Sequence, residues 1–181
     1  ACADIDHARD VQKMFSNDYF RVYSGSDVIG VEIGGAAKNI IALAAGICHG
    51  LGFGDNTMAA LVTRGLEEII RLGTKLGAER ETFSGLSGMG DLIVTAFSFH
   101  SRNRQVGHRI GKGEKLEDIL ASMEMVAEGV ETTRSMHDVS RKNNIDMPIC
   151  EQIYKVLFEE VPPRKAILEL MGRELVDEHS V

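Results

Sequence analysis

A chain of 181 residues with 44% hydrophobic and 26% charged side chains is long enough for one substantial domain, or one domain with part of another, and is composed like an ordinary globular protein. Its 27 acidic and 20 basic residues leave a net charge of -7, which argues against a nucleic-acid binder, because neutralising phosphates requires clustered Lys and Arg. Cys2, Cys48 and Cys150 are odd in number and widely spaced. They form neither a disulfide framework nor a metal-ligand spacing, and read as reduced thiols of a cytoplasmic protein. The chain opens Ala1-Cys2-Ala3 rather than with Met, so a preceding segment is expected; no signal peptide is visible.

In residues 4–16, Ile5, Ala8, Val11 and Phe15 fall on one helical face. Ser16-Asn17-Asp18 breaks that pattern, and residues 19–23 (YFRVY) are aromatic and β-branched enough to predict a strand. A lone strand cannot satisfy its backbone groups, so its partners are expected in an N-terminal sheet outside this chain. Ser24-Gly25-Ser26-Asp27 reads as a turn. Nearly everything after Val28 reads as helix: 33–51, 56–76, 88–97, 103–111, 115–123, 129–143, 149–159 and 163–174. Asp55 is the expected N-cap of the second long helix, and Pro148 and Pro163 suit the first turns of the last two. Residues 34–53 are weakly charged, but their unbroken apolar run covers only 40–46, far short of a bilayer. No membrane span is expected there; the stretch reads as a helix buried inside a soluble protein. A boundary near Gly30 would divide a remnant, 1–30, from a mainly α domain, 31–181.

Within the first long helix, Gly35, Asn39, Ala42, Gly46 and Gly50 make a stripe of small residues against which another backbone can pack closely. Lys38 is the only formal charge between Glu32 and Asp55. Burial would depress its pKa and suit it to acid–base chemistry; alternatively it snorkels to the surface or makes a structural ion pair. Asp91 and Thr95, in GMGDLIVT, are four apart and share a helical face, although Asp91 could simply cap that helix. Ser101-Arg102-Asn103-Arg104 places a natural N-cap before an amphipathic stretch, so that free backbone N–H groups and planar Arg donors could cradle a phosphate; surface arginine pairs are also common without function. The six histidines form no HExxH or i, i+4 pair, so no metal is expected, and no GxGxxG or P-loop is present.

Taken together, these segments resemble glycerol-3-phosphate dehydrogenase. The stretches carrying the resemblance are FRVY with DVIGVE, GGAAKNIIALAAG, GLGFGDNT, LSGMGDLIVT, SRNR, EGV and MPI, in family order over nearly the whole chain. The resemblance implies an N-terminal Rossmann domain, largely missing here, and a helical C-terminal domain of the 6-phosphogluconate-dehydrogenase-like type. It implies that Lys38 exchanges a proton with the carbonyl oxygen of dihydroxyacetone phosphate, that Asn39, Asp91 and Thr95 lie beside the substrate, and that Arg102 and Asn103, with Ser101 adjacent, hold its phosphate. Arg102, Val126 and Glu128 would touch the cofactor, NAD or NADP, whose main binding loop and whose NADH or NADPH preference belong to the other domain. A cytoplasmic homodimer acting in glycerophospholipid metabolism on dihydroxyacetone phosphate and sn-glycerol 3-phosphate is also implied. The chain alone is expected to be inactive. It departs from the family at Ala37, where Leu is usual, and in the aromatic loop AFSFH after Thr95. The missing domain would also supply a second lysine. Two other readings compete. A related two-domain dehydrogenase would act on another small phosphorylated or hydroxy-acid substrate. A non-catalytic helical interaction module would be favoured by a fully exposed Lys38.

Overall fold

In the computed structural model, residues 1–123 and 125–175 are described; Glu124 and 176–181, part of the expected 31–181 domain, lie outside the described residues. Among the described residues, nine α-helices follow one another: α1 (Ile5–Phe15), α2 (Val28–Gly50), α3 (Asp55–Lys75), α4 (Asp91–Phe97), α5 (Arg102–Gly111), α6 (Leu116–Ala121), α7 (Glu128–Lys142), α8 (Pro148–Phe158) and α9 (Pro163–Met171). A 3-10 turn, Arg80–Ser84, and a π turn, Leu86–Gly90, lead into α4. The mainly α class expected from the sequence is what forms.

Helix α2 is the axis of the domain. It packs against α3, α4, α5, α7 and α8, and its stretch from Asn39 to Cys48 is buried throughout. By length and composition it could cross a membrane, but most of its apolar residues from Ile33 to Cys48 are buried within the helical domain. It begins at Val28, five residues before the start the apolar pattern marks, because Asp27 caps it. One Asp27 carboxylate oxygen accepts from the Gly30 amide (2.8 Å); the other accepts from the Glu79 amide (2.9 Å) and the Thr82 hydroxyl (2.6 Å). Against the upward push of burial, these bonds to the charged form hold the Asp27 carboxyl below the ordinary range. Asp27 thus ties the start of α2 to the 3-10 turn that leads toward Asp91.

The small-residue stripe works over its second half. A Cβ on Gly46 would stand 2.1 Å from the Arg104 carbonyl oxygen, and one on Gly50 2.4 Å from that of His108. The approach is reciprocal: a Cβ on Gly107 would meet the Leu43 carbonyl oxygen at 2.0 Å, and one on Gly111 that of Ile47 at 2.6 Å. Helices α2 and α5 therefore touch backbone to backbone. Gly35, at the other end of the stripe, has open space around its Cβ position.

Two local expectations are corrected. No strand forms at 19–23, nor anywhere among the described residues. Side chains from α1 and the turn after it take the roles a partner strand would fill: Gln12 Nε2 donates to the Val22 carbonyl (2.8 Å), Ser16 Oγ accepts from the Val22 amide (3.2 Å), and Asn17 Oδ1 accepts from the Tyr19 and Phe20 amides. Asp55 is not the N-cap of α3; Gly54 is, and Asp55 is the first helical residue, where its charge still favours the positive end of the helix dipole. Ser101 caps α5 as expected, accepting from the Arg104 amide at 3.3 Å, and Pro148 and Pro163 do open α8 and α9.

The N-terminus of α8 has a cap the sequence does not announce. Glu68, on α3 and 3% exposed, accepts from the Ile149 amide (2.6 Å) and the Cys150 amide (3.1 Å). Burial pushes the Glu68 carboxyl up to about 8, although both amide bonds and Arg71 pull the other way.

Candidate active site

The charge-free run of α2 delivers Lys38 to one place. Its Nζ donates to Asp91 Oδ2, on α4, in a direct ion pair across 53 residues of sequence. The Lys38 side chain is 20% exposed and that of Asp91 35%, so the pair lies at a half-buried edge and Lys38 is far from the full exposure that would favour an interaction module. Asp91 does not cap α4, whose N-cap is Gly90. The tight path into α4 explains how Asp91 arrives: a Cβ on Gly88 would stand 2.2 Å from the Phe83 carbonyl oxygen, and one on Gly34 2.9 Å from that of Ser87, so the π turn is pressed onto both Phe83 and α2. The Thr95 hydroxyl donates mainly within its own helix, to the Asp91 carbonyl at 2.6 Å, and lies 3.3 Å from Asp91 Oδ1.

A second group adjoins the first through the next residue of α2. Asn39 is 8% exposed, and its carbonyl oxygen would stand 2.9 Å from a Cβ on Gly129. Asn103, also 8% exposed, crowds the same Cβ position, and its Oδ1 accepts from the Gly129 amide at 2.8 Å. That bond uses the acceptor end of the Asn103 amide, which leaves the Nδ2 donors as the end able to meet a ligand, the correct polarity for an anion. Arg102 Nη1 donates to the Val126 carbonyl at 2.9 Å, so its guanidinium is drawn toward the segment before α7. Val126 is 71% exposed, and Glu128 is an exposed residue in the first turn of α7. Ser101 is occupied as the α5 cap.

The candidate residues therefore meet in two adjoining clusters: Lys38, Asp91 and Thr95 between α2 and α4, and Asn39, Asn103, Arg102 and Val126 where α2, α5 and α7 converge. Chemically, one presents an ammonium held by a carboxylate, and the other presents guanidinium and amide donors beside the start of α5. The latter also suits a dinucleotide, with an arginine for a phosphate, exposed apolar surface at Val126 for a flat ring and the Glu128 carboxylate for hydroxyl or amide donors. Gly129 entered the sequence reading only as part of EGV; its packing against two asparagine-bearing helices had no local signal. Asp27 had one, an Asp three residues before a glycine at the head of an apolar run.

The family model for the NAD-dependent glycerol-3-phosphate dehydrogenase C-terminus matches residues 27–168. The chain belongs to this family. A glycerol-3-phosphate dehydrogenase (NAD(P)+) of Lacticaseibacillus paracasei is 60% identical over 173 residues, covering 96% of this chain and 49% of that protein. One from Solidesulfovibrio magneticus is 56% identical over 178 residues, covering 98% and 54%. The chain thus spans about half the length of the curated relatives it matches. Among solved structures, glycerol-3-phosphate dehydrogenase from Coxiella burnetii superposes with a TM-score of 0.89 at 39% identity, over 93% of this chain and 52% of that one. The yeast enzyme from Saccharomyces cerevisiae gives 0.84 at 29% identity, over 94% and 49%. Both place the helical domain described above within the glycerol-3-phosphate dehydrogenase fold.

Proposed function

We propose that this chain is the substrate-binding, catalytic half of a dehydrogenase that interconverts dihydroxyacetone phosphate and sn-glycerol 3-phosphate with NADH or NADPH. The observation that carries the reading is the Lys38–Asp91 ion pair, made by the only formal charge between Glu32 and Asp55 and set beside the Arg102 and Asn103 donors. The names of its relatives supply the substrate and cofactor class. In the reducing direction the nicotinamide, when bound, supplies the hydride. Lys38 gives a proton to the ketone oxygen as charge develops there, and recovers one in reverse. Asp91 aims the ammonium, whose other two donors stay available to the substrate oxygen. Arg102 and the Nδ2 of Asn103 hold the phosphate at the N-terminus of α5, where free amides and the dipole favour an anion. Arg102, Val126 and Glu128 border the cofactor. Asn39 and Thr95 line the substrate side, and Ser101 sets the first turn of α5. We place the enzyme in the cytoplasm as a homodimer, with a nucleotide-binding domain completing the cleft.

The test is Lys38→Ala in the full-length enzyme, assayed for NADH or NADPH oxidation with dihydroxyacetone phosphate. A general acid worth its position should lower kcat by about 10²–10⁴-fold on removal, with a smaller effect on KM. Retention of wild-type kcat would end the assignment of Lys38, and a wild-type enzyme inert toward dihydroxyacetone phosphate would end the substrate assignment.

A further inference from the structure

We propose that Phe99 and Arg104 form a clamp that sets the loop between the proton-carrying and anion-holding parts of the site, making both positioning residues for phosphate recognition. The inference rests on the proposed function of that site.

The loop runs from the end of α4 at Phe97 to the start of α5 at Arg102. Its backbone is bonded tightly: the Ser98 amide donates to Val94 O (2.9 Å), the Ser101 amide to Ser98 O (3.2 Å) and the His100 amide to Ser98 Oγ (3.1 Å). At its tip, Phe99 is 68% exposed, an unusual place for a phenyl ring to be fixed. Yet it is held three ways. The Arg104 guanidinium lies 4.1 Å from its ring centroid, the His49 ring meets it edge-on at 5.8 Å, and its carbonyl accepts from Gln105 Nε2 at 2.8 Å.

Arg104 explains the arrangement. It is 7% exposed, forms no ion pair among the described residues, and its Nε has no hydrogen-bond partner. Burial lowers its pKa, as expected for a desolvated cation without a carboxylate. The groups nearby do not supply an adjacent anion. His49 and His108 share a contact of 2.9 Å between their Nδ1 atoms, and His108 is pushed down by burial and then by the charges of His49, Lys112 and Arg104, with only Glu114 opposing. The negative face of the Phe99 ring is thus the compensation that Arg104 has in contact.

The two residues straddle Ser101. Phe99 precedes that cap by two positions, and Arg104 donates its own amide to the Ser101 hydroxyl. Immediately after the cap come Arg102 and Asn103. The clamp therefore fixes the loop that leads into the phosphate donors against α5 and, through His49, against α2; the same loop joins α5 to α4, which carries Asp91 and Thr95. Losing the ring should release that loop without disturbing Lys38, whose helix is held by other contacts.

The experiment compares Phe99→Leu, Phe99→Tyr and Arg104→Lys in the full-length enzyme, with dihydroxyacetone phosphate and with dihydroxyacetone, alongside thermal melts. Phe99→Leu should raise KM for the phosphorylated substrate by roughly fivefold or more, leave kcat within about twofold, and change kcat/KM for dihydroxyacetone by less than about twofold. Phe99→Tyr keeps the π face and should restore the wild-type KM. Arg104→Lys should shift KM in the same direction as Phe99→Leu, because an ammonium lacks the flat guanidinium that stacks on the ring. A merely structural role would lower the melting temperature and depress both substrates equally. Equal losses on the two substrates, or an unchanged KM in Phe99→Leu, overturn the clamp while leaving the proposed function standing. A wild-type enzyme that does not use dihydroxyacetone phosphate overturns both. Phe99 is exposed enough that its truncation leaves the core intact, so the test does not depend on whether Arg104 variants fold.

Discussion

Replacing a glycine by alanine in the middle of a helix ordinarily stabilises it, by about 0.5–1 kcal/mol, because glycine is the poorer helix former. In α2 the sign should depend on position. At Gly46 the new Cβ would stand 2.1 Å from the Arg104 carbonyl oxygen and 2.7 Å from the His108 nitrogen, where ordinary contact begins near 3.4 Å. Relief requires α5 to retreat by about 1.3 Å, the difference between 3.4 and 2.1 Å. Both partners are backbone, so no rotamer change can absorb the clash. Overpacking usually costs about 1–3 kcal/mol, and a rigid clash of this kind belongs at or above the top of that range. Net of the helix-propensity gain, Gly46→Ala should lose about 2–3 kcal/mol, and Gly107→Ala, whose Cβ would stand 2.0 Å from the Leu43 carbonyl oxygen, at least as much. Gly35→Ala, with nothing within 4 Å of its Cβ, should gain up to about 1 kcal/mol. Urea unfolding followed by far-ultraviolet circular dichroism separates the three, provided the m-value is unchanged. Midpoints for Gly46→Ala and Gly107→Ala equal to or above wild type would refute close backbone packing of α2 on α5.

Arg102→Ala in the full-length enzyme should raise KM for dihydroxyacetone phosphate strongly yet nearly match wild type on dihydroxyacetone, whereas Lys38→Ala should stay impaired on both; equal loss by Arg102→Ala on the two substrates would reassign Arg102 to the cofactor or the fold. Glu68 makes stability depend on pH in an uncommon direction. Folded, its carboxyl keeps a proton up to about 8; unfolded, it releases it near its ordinary 4.5, so the folded state binds the extra proton between these values and stability falls as pH rises through that window. The slope should approach about 1.4 kcal/mol per pH unit, read as the difference in unfolding free energy between wild type and Glu68→Gln; a difference that is flat from pH 5 to 8 would refute it.

The helices were legible because their period is carried by many apolar residues at once, and the capping signals at Ser101, Pro148 and Pro163 are local. The start of α2 was missed although its cap is local, Asp27 to the Gly30 amide, because the apolar pattern begins only at residue 33; the further bonds of Asp27 to Glu79 and Thr82, more than fifty residues away, had no signal at all. Residues 19–23 show the reverse. Their composition is that of a strand, but strand formation needs a second chain segment, and here Gln12, Ser16 and Asn17 satisfy the backbone instead. Lys38 stood out in the sequence as a solitary charge, but its partner did not; that Lys38 and Asp91 share one site is what the family resemblance implies. The turning of Asn103 Oδ1 onto Gly129 was not legible, since nothing in SRNR tells which end of the amide points inward. Glu68, a carboxylate in an otherwise ordinary amphipathic helix, gave no sign that it would cap α8.

The seam between α2 and α5 has few side chains in it where the four glycines lie. Side chains at most helix interfaces hop between rotamers, and the spacing they set fluctuates with them. Here the distance is fixed by peptide planes, which have no such freedom. Lys38 and Asn39 ride on one side of this joint, Arg102 and Asn103 on the other, so the two halves of the cleft floor behave as one casting. Whatever opens and closes around a substrate must move against that floor, and the floor itself can be retuned only by adding bulk at a glycine, a change too coarse for gradual adjustment.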